Sequence, residues 1–370
     1  MREALAERLL AQVMEWTPED VARERPILQA MAAFKYDEYQ QFSPGMRFVE
    51  SLALWLSQFT TNEEKKVAYQ FVQERLVFFS DAEIAHFISV VYPNYIRPLL
   101  IQRTATQKKI PTRNILKITQ DPEFLLLRRR CLFLGLSDGA RIDAFRRSNP
   151  DLSHEQIRQT YELTPERSEK MLEVLRKDLN SISGNTFPVT DSYFRMIFLL
   201  DDFSGSGISY LRREEETAEF AGKIHSFYKD LIRQNGGSSQ LINPDDLYVG
   251  LVIYVATDKS RIHLEEKLEL LLKETSIEWG VQVIQPLGDN ITLKKSIDPL
   301  FHKMIDKYYD PKVEDEHKKK GGVDDVKHGF AGCSLPVVLN HNTPNNSIFL
   351  LWSDPELYDV RGLFPRVSRF

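Results

Sequence analysis

The feature that most constrains the fold is a series of four short apolar segments, each followed by a stretch with helical character. They cover residues 131–136, 194–200, 247–256 and 279–284. Segments this short and almost continuously apolar are typical of strands that are buried on both faces of a sheet. Parallel strands need a crossover between them, and here a helical stretch fills it. The alternation therefore predicts an α/β fold with a mostly parallel sheet covered by helices.

The residues before this alternation predict an all-helical domain over 1–120. Apolar residues recur with helical spacing in 2–16 and 46–59. Asn62 is expected to be an N-cap, and a further helix from Asp81 is expected to end near Pro93. The α/β core is placed at 121–310. A C-terminal loop and hood-like segment is placed at 311–370, with an exposed loop over 313–327 and strands over 336–339 and 347–352.

Composition excludes several classes of protein. The chain lacks an apolar run of about 18 residues, and Glu3 and Glu7 stand where a signal peptide needs apolar residues. Two cysteines, Cys131 and Cys333, cannot form a disulfide scaffold or a cysteine-based zinc site. We expect a cytoplasmic protein with no membrane association. The formal charge of -5 gives no general attraction to nucleic acid.

A local excess of positive charge interrupts this acidic balance. Residues 85–120 contain no acid, and the stretch 97–117 supplies six cations: Arg97, Arg103, Lys108, Lys109, Arg113 and Lys117. One interpretation is a surface for an operon partner protein or a nucleic acid. The alternative is a solvated linker.

The most specific motif follows the second apolar segment. Asp201 and Asp202 end that strand, 201–209 is expected to be a loop, and 210–233 a helix that ends at Asn235-Gly236-Gly237. Backbone N–H groups and hydroxyls of 206–209 would then form a phosphate cradle at a helix N-terminus. Two acids beside a phosphate are reasonable if they hold ribose hydroxyls and Mg²⁺ bound to the ligand. The alternative is an ordinary strand-to-helix turn.

This motif resembles the phosphoribosyl pyrophosphate signature of the type I phosphoribosyltransferases, and the predicted sheet resembles theirs. The resemblance implies that Asp201 and Asp202 are the catalytic pair, binding ribose hydroxyls and, indirectly, Mg²⁺. It assigns the 5-phosphate to Ser204, Gly205, Ser206, Gly207, Ile208 and Ser209. Gly205 occupies the position of the aspartate base in the hypoxanthine-type enzymes, so a general base must come from elsewhere.

Two further segments fit this resemblance. Ser137, Asp138, Gly139, Ala140 and Arg141 follow the first strand, where the family places its pyrophosphate loop; the alternative is a plain turn with Arg141 exposed. Asn340, His341 and Asn342 are candidates for base recognition in the hood. Residues 341–346 also resemble a block in phosphoribosyltransferase-like effectors of bacterial conflict operons, including retron-associated anti-phage cassettes. The alternative is an Asn- and Pro-rich turn.

The sequence thus predicts a phosphoribosyltransferase-like effector of anti-phage defence. It would bind phosphoribosyl pyrophosphate, with Mg²⁺, or a nucleotide, and act on a nucleobase, nucleotide or nucleic acid. The alternative is a non-catalytic sensor or regulatory subunit that binds a phosphoribosyl ligand, which the missing base at Gly205 favours. The histidines show no metal-ligand spacing, which argues against a metal site. The sequence has no Gly-x-Ser-x-Gly elbow for a Ser–His–Asp triad and no Walker lysine after a glycine loop.

Overall fold

The computed structural model describes residues 3–214, 217–233, 236–273, 275–314 and 317–366. Its helices are α1 (Glu3–Val13), α2 (Pro18–Phe34), α3 (Phe48–Ser57), α4 (Asn62–Glu74), α5 (Asp81–Val90), α6 (Arg97–Lys108), α7 (Ile115–Thr119), α8 (Pro122–Arg129), α9 (Ile142–Ser148), α10 (Pro165–Ser183), α11 (Lys223–Ile232), α12 (Asp258–Leu272), α13 (Pro299–Lys307), α14 (His317–Lys320) and α15 (Phe349–Trp352). Its strands are β1 (Val77–Phe79), β2 (Cys131–Gly135), β3 (Ile157–Arg158), β4 (Met196–Ser204), β5 (Arg212–Arg213), β6 (Phe220–Ala221), β7 (Tyr248–Thr257), β8 (Glu278–Leu287) and β9 (Val337–Leu339).

The predicted α/β class with a parallel sheet is confirmed. Five parallel strands are arranged in the order β3-β2-β4-β7-β8, and the four predicted strands are β2, β4, β7 and β8. On one face of the sheet, Leu175 of α10, Phe227 of α11 and Leu264 of α12 join a common apolar core. On the other face, Phe145 of α9 packs against Phe133 with ring centroids 5.0 Å apart. Helices therefore cover both faces, as apolar strands of this kind require.

The chain divides into two compact units. One contains residues 85–287, including the five-stranded sheet, and the other contains 1–84 together with 288–370. In the second unit, β1 pairs in parallel with β9, and Trp55 and Phe349 belong to its apolar core. The predicted boundaries at 120 and 310 differ from this grouping and stay a prediction.

Several local expectations were wrong. Thr61 is the N-cap of α4, and its side chain forms a capping box with Glu64. The chain does not end its helix near Pro93, because a π-helical turn over Val91–Ile96 carries it into α6. Residues 347–352 contain α15 in place of a strand, since periodicity does not separate a short buried strand from a short buried helix.

The predicted exposed loop over 313–327 is partly helical, because it contains α14. Residues 315–316 of that loop lie outside the described residues. None of the helices that the structure describes is both long and apolar enough to cross a membrane.

Candidate functional site

The acid pair belongs to strand β4 rather than to a loop. The pairing of β4 with β7 continues from Asp201, opposite Ile253, to Ser204, opposite Ala256, so the expected loop start at Asp201 was wrong. Consecutive strand residues point to opposite faces. Accordingly, Asp201 has no exposed surface, whereas Asp202 is partly exposed. The two carboxylates therefore have different environments.

Asp201 is held by two partners. Lys223 donates a hydrogen bond to its Oδ2 at 2.7 Å, and the Ser137 hydroxyl donates to its Oδ1. The Lys223 ammonium also lies 5.0 Å from the centre of the Tyr210 ring. Burial and then the charge of Asp202 raise the pKa of Asp201, while Lys223 opposes this rise. Asp201 is thus a buried, internally paired carboxylate.

The loop at Ser137–Arg141 lies against the acid pair. It follows β2, the neighbour of β4, and the Leu136 N–H donates to the Leu200 carbonyl at 3.0 Å. Gly139 is so close to Asp202 that a Cβ at this position would overlap the carboxylate. Tyr254 donates its hydroxyl to the Ala140 carbonyl at 2.6 Å. The sequence motifs of β2 and β4 therefore meet at the carboxyl edge of the sheet.

Arg141 begins α9 in the left-handed conformation, with φ +47, and is partly exposed. Asp138 is exposed at the tip of the same loop. The loop therefore carries an exposed acid and a partly exposed guanidinium, and they flank in sequence the Gly139 that lies against Asp202.

The segment 204–209 is held rigidly by its own contacts and by α12. Ser204 Oγ accepts hydrogen bonds from the Gly207 N–H at 3.2 Å and from the Ser260 hydroxyl at 2.6 Å. The hydroxyl of Thr257, the N-cap of α12, donates to the Gly205 carbonyl at 2.6 Å. The expectation that the Gly207 N–H faces a ligand was therefore wrong, because Ser204 accepts its hydrogen bond. The Ile208 N–H also points back into the segment, towards Ser206 Oγ at 3.4 Å.

Two other amides of this segment remain available. Among the residues that the structure describes, none accepts a hydrogen bond from the N–H groups of Ser206 or Ser209. Ser206 is buried and Ser209 is exposed. Unpaired backbone amides in a turn can bind an anion.

The helix expected to begin near Ser209 starts later. Gly207, with φ +78, accepts hydrogen bonds from the N–H groups of Tyr210 and Leu211, which closes a turn. The hairpin of β5 and β6 follows, and α11 begins only at Lys223. Asn235, at the expected helix end, lies outside the described residues. The segment predicted as a phosphate cradle is therefore a turn and not a helix N-terminus.

Gly207 is required by packing as well as by its φ. A Cβ there would lie 3.1 Å from the Ser260 carbonyl oxygen and 3.2 Å from Leu264 Cγ. A side chain at this position would therefore meet α12.

Lys223 is a residue of the candidate site that the sequence analysis did not identify. Its N–H donates to the Ser209 carbonyl at 3.2 Å, so one residue ties the end of the 204–209 segment to Asp201. One signal in the sequence could have identified it. The helical spacing of Ile224, Phe227 and Leu231 begins only after Gly222, which indicates a helix that starts near Lys223.

The candidates for base recognition belong to the other compact unit. The Asn340 carbonyl accepts a hydrogen bond from the Gln40 N–H at 2.8 Å, and the His341 carbonyl accepts one from the Gln41 side chain at 2.8 Å. The Asn342 side chain accepts a hydrogen bond from the Thr343 N–H at 3.0 Å. Their role in reading a base stays a prediction.

Within the described ranges, no group of three or more His, Cys, Asp or Glu residues could hold a metal ion. The charge of Asp201 is already matched by Lys223. Asp202 is partly exposed and is therefore the carboxylate of the pair that a magnesium–pyrophosphate ligand could approach. The role of Mg²⁺ stays a prediction.

Comparison with known proteins agrees with this geometry. The family model PRTase-CE matches residues 52–366. No curated protein and no solved structure gives a significant match. A parallel sheet, with an acid pair on one strand next to the loop of its neighbour, fits a phosphoribosyltransferase-like domain. The chain belongs to the PRTase-CE family and contains a phosphoribosyltransferase-like domain.

Proposed function

We propose that the carboxyl edge of β2 and β4 binds phosphoribosyl pyrophosphate or a nucleotide. The observation that carries this proposal is the contact between the loop after β2 and the acid pair of β4. Ser137, from the loop after β2, donates to Asp201, and Gly139 packs directly on Asp202. Ligands of open parallel sheets bind at this edge.

The two acids take different roles in this proposal. Asp202 is partly exposed and accepts hydrogen bonds from the ribose hydroxyls. Asp201 is fully buried, so it positions Ser137 and Lys223 without contacting the ligand. Of the two aspartates that the resemblance assigns to the ligand, only Asp202 contacts it in this proposal.

The phosphates are assigned to the two loops. The amides of Ser206 and Ser209 bind the 5-phosphate, and the Ser137–Arg141 loop binds the pyrophosphate through backbone groups and Arg141. The reaction is displacement at ribose C1 through an oxocarbenium-like state, with pyrophosphate as the leaving group. The protein contributes by orienting the ribose and by stabilising the charge that develops on pyrophosphate.

A second candidate is a sensor that binds the ligand without turnover. Gly205 supplies no side chain that could act as a base, and its carbonyl is held by Thr257. A binding subunit would need only the two loops and Asp202.

Isothermal titration with phosphoribosyl pyrophosphate and Mg²⁺ tests binding, and pyrophosphate release in the presence of nucleobases and nucleotides tests turnover. Asp202→Asn should weaken binding at least about ten-fold, the loss expected from a charge-assisted hydrogen bond. Glu269→Gln removes the same charge from an exposed position of α12 and should bind like the wild type. Binding without pyrophosphate release favours the sensor, and no binding contradicts both candidates.

We also propose that this activity serves anti-phage defence. The resemblance of residues 341–346 to conflict-operon effectors supports this role. Cells expressing the wild type should survive phage challenge better than cells expressing Asp202→Asn. Equal survival would contradict it.

A further inference from the structure

A groove separate from the phosphoribosyl site lies within the basic stretch. It has a volume of about 490 Å³ and runs between the start of α6 and the segment that leads into α7. Its lining includes Pro93, Pro98, Ile101, Thr112 and Ile115. Pro93 belongs to the π-helical turn, an irregularity often found at functional sites.

The groove is bordered by apolar side chains that remain in contact with water. Ile115 is 49% exposed, and the neighbouring Leu116 is 71% exposed. Two large aliphatic side chains side by side on a surface gain free energy when a partner covers them.

The structure divides the cations of the basic stretch into two groups. Arg103 pairs with Glu278 at 2.7 Å, and Lys108 lies 3.9 Å from both Asp121 and Glu123. These two cations therefore interact with acids of the protein itself.

The remaining cations form the second group. Arg97 lines the groove, Arg113 lies in the chain between two lining residues, and Lys109 and Lys117 flank them in sequence. All four are exposed, and within the described ranges none forms an ion pair. Since the groove's lining contains no acid, its rim carries uncompensated positive charge.

We propose that this groove docks an acidic, amphipathic peptide segment of a partner protein. The apolar floor takes aliphatic side chains, and the exposed arginines and lysines take the carboxylates. A nucleic acid would satisfy the charges but would leave Ile115 and Leu116 uncovered, and the groove's lining offers no aromatic ring on which a base could stack.

The test is fluorescence anisotropy of the whole protein with three labelled probes. The first is a peptide of about 15 residues with leucines at i, i+3, i+4 and i+7 and glutamates elsewhere. The second replaces the leucines with serine, and the third is a single-stranded DNA of similar length. We expect the Leu/Glu peptide to bind at least about ten-fold more tightly than the other two.

Substitutions inside and outside the groove test whether the Leu/Glu peptide binds there. Ile115→Asp, and separately Arg97→Glu with Arg113→Glu, should each weaken the Leu/Glu peptide by about ten-fold or more. Lys295→Glu with Lys303→Glu reverses two exposed cations elsewhere and should have no effect. Thermal unfolding verifies that each variant is folded. Equal binding of both peptides, tighter binding of DNA, no binding of any probe, or unchanged binding by the groove variants would overturn the proposal.

Discussion

Replacing Lys223 with methionine removes the cation that balances a fully buried carboxylate. The ammonium lies 2.7 Å from Asp201, whose exposed fraction is 0%. Methionine preserves much of the aliphatic volume that packs near Tyr210. In the variant, Asp201 keeps the Ser137 hydroxyl as a donor but has lost its positive partner.

The expected loss of stability follows from this geometry. Removing one partner of a buried ion pair costs about 3–5 kcal/mol, because the other charge stays buried. The Lys223 side chain is 34% exposed, so solvent already screens part of the interaction. We therefore expect a loss of about 2 kcal/mol at neutral pH. This corresponds to a decrease in Tm of about 4–8 °C for a domain of this size.

The loss should depend on pH. Burial raises the pKa of Asp201 above its ordinary value, and removal of Lys223 raises it further. A carboxyl whose pKa is raised on folding contributes its full stability below the unfolded pKa and loses it as pH rises through the folded pKa. The difference in stability between wild type and Lys223→Met should therefore be small in acid and grow towards alkaline pH.

Urea unfolding at several pH values measures this difference. Lys229→Met, an exposed lysine of the same helix, is the matched control, and the double variant Asp201→Asn with Lys223→Met should recover most of the loss. A loss that is independent of pH, equal in both lysine variants, or unrelieved in the double variant would refute the pairing.

Three further substitutions test the site. Asp202→Asn should weaken phosphoribosyl pyrophosphate at least about ten-fold in titration calorimetry with little change in Tm, since Asp202 is partly exposed. Gly139→Ala should weaken the same ligand, because its Cβ displaces the Asp202 carboxylate; unchanged affinity would mean that this contact is irrelevant to binding. Gly207→Val should lower stability by about 1–3 kcal/mol or more without any ligand, because φ is +78 and α12 blocks the side chain. An unchanged Tm would contradict that packing.

The sequence predicted the strands of the sheet and the neighbourhood of the two loops. Continuous apolar segments identify buried strands, and the carboxyl ends of parallel neighbours meet at one edge. The resemblance to the phosphoribosyltransferases assigned residues 137–141 and the pair Asp201 and Asp202 to one ligand, and the structure brings them into contact.

The different environments of Asp201 and Asp202 could not be predicted in the same way. They depend on how far β4 pairs with β7 and on the hydrogen bond that Lys223, after the β5–β6 hairpin, donates to Asp201. Both are tertiary contacts between residues that are distant in sequence. Pro93 shows the same limit, because its helix continues through a π-helical turn where local rules predict an end.

A crystal structure of the protein with ribose 5-phosphate tests the central claim most directly. We expect the phosphate within hydrogen-bond distance of the N–H groups of Ser206 and Ser209, and the ribose hydroxyls at Asp202, with Asp201 still bound to Lys223. Ribose 5-phosphate bound elsewhere on the molecule, or no binding in crystals and in solution, would contradict the assignment of the carboxyl edge of β2 and β4 as a phosphoribosyl site.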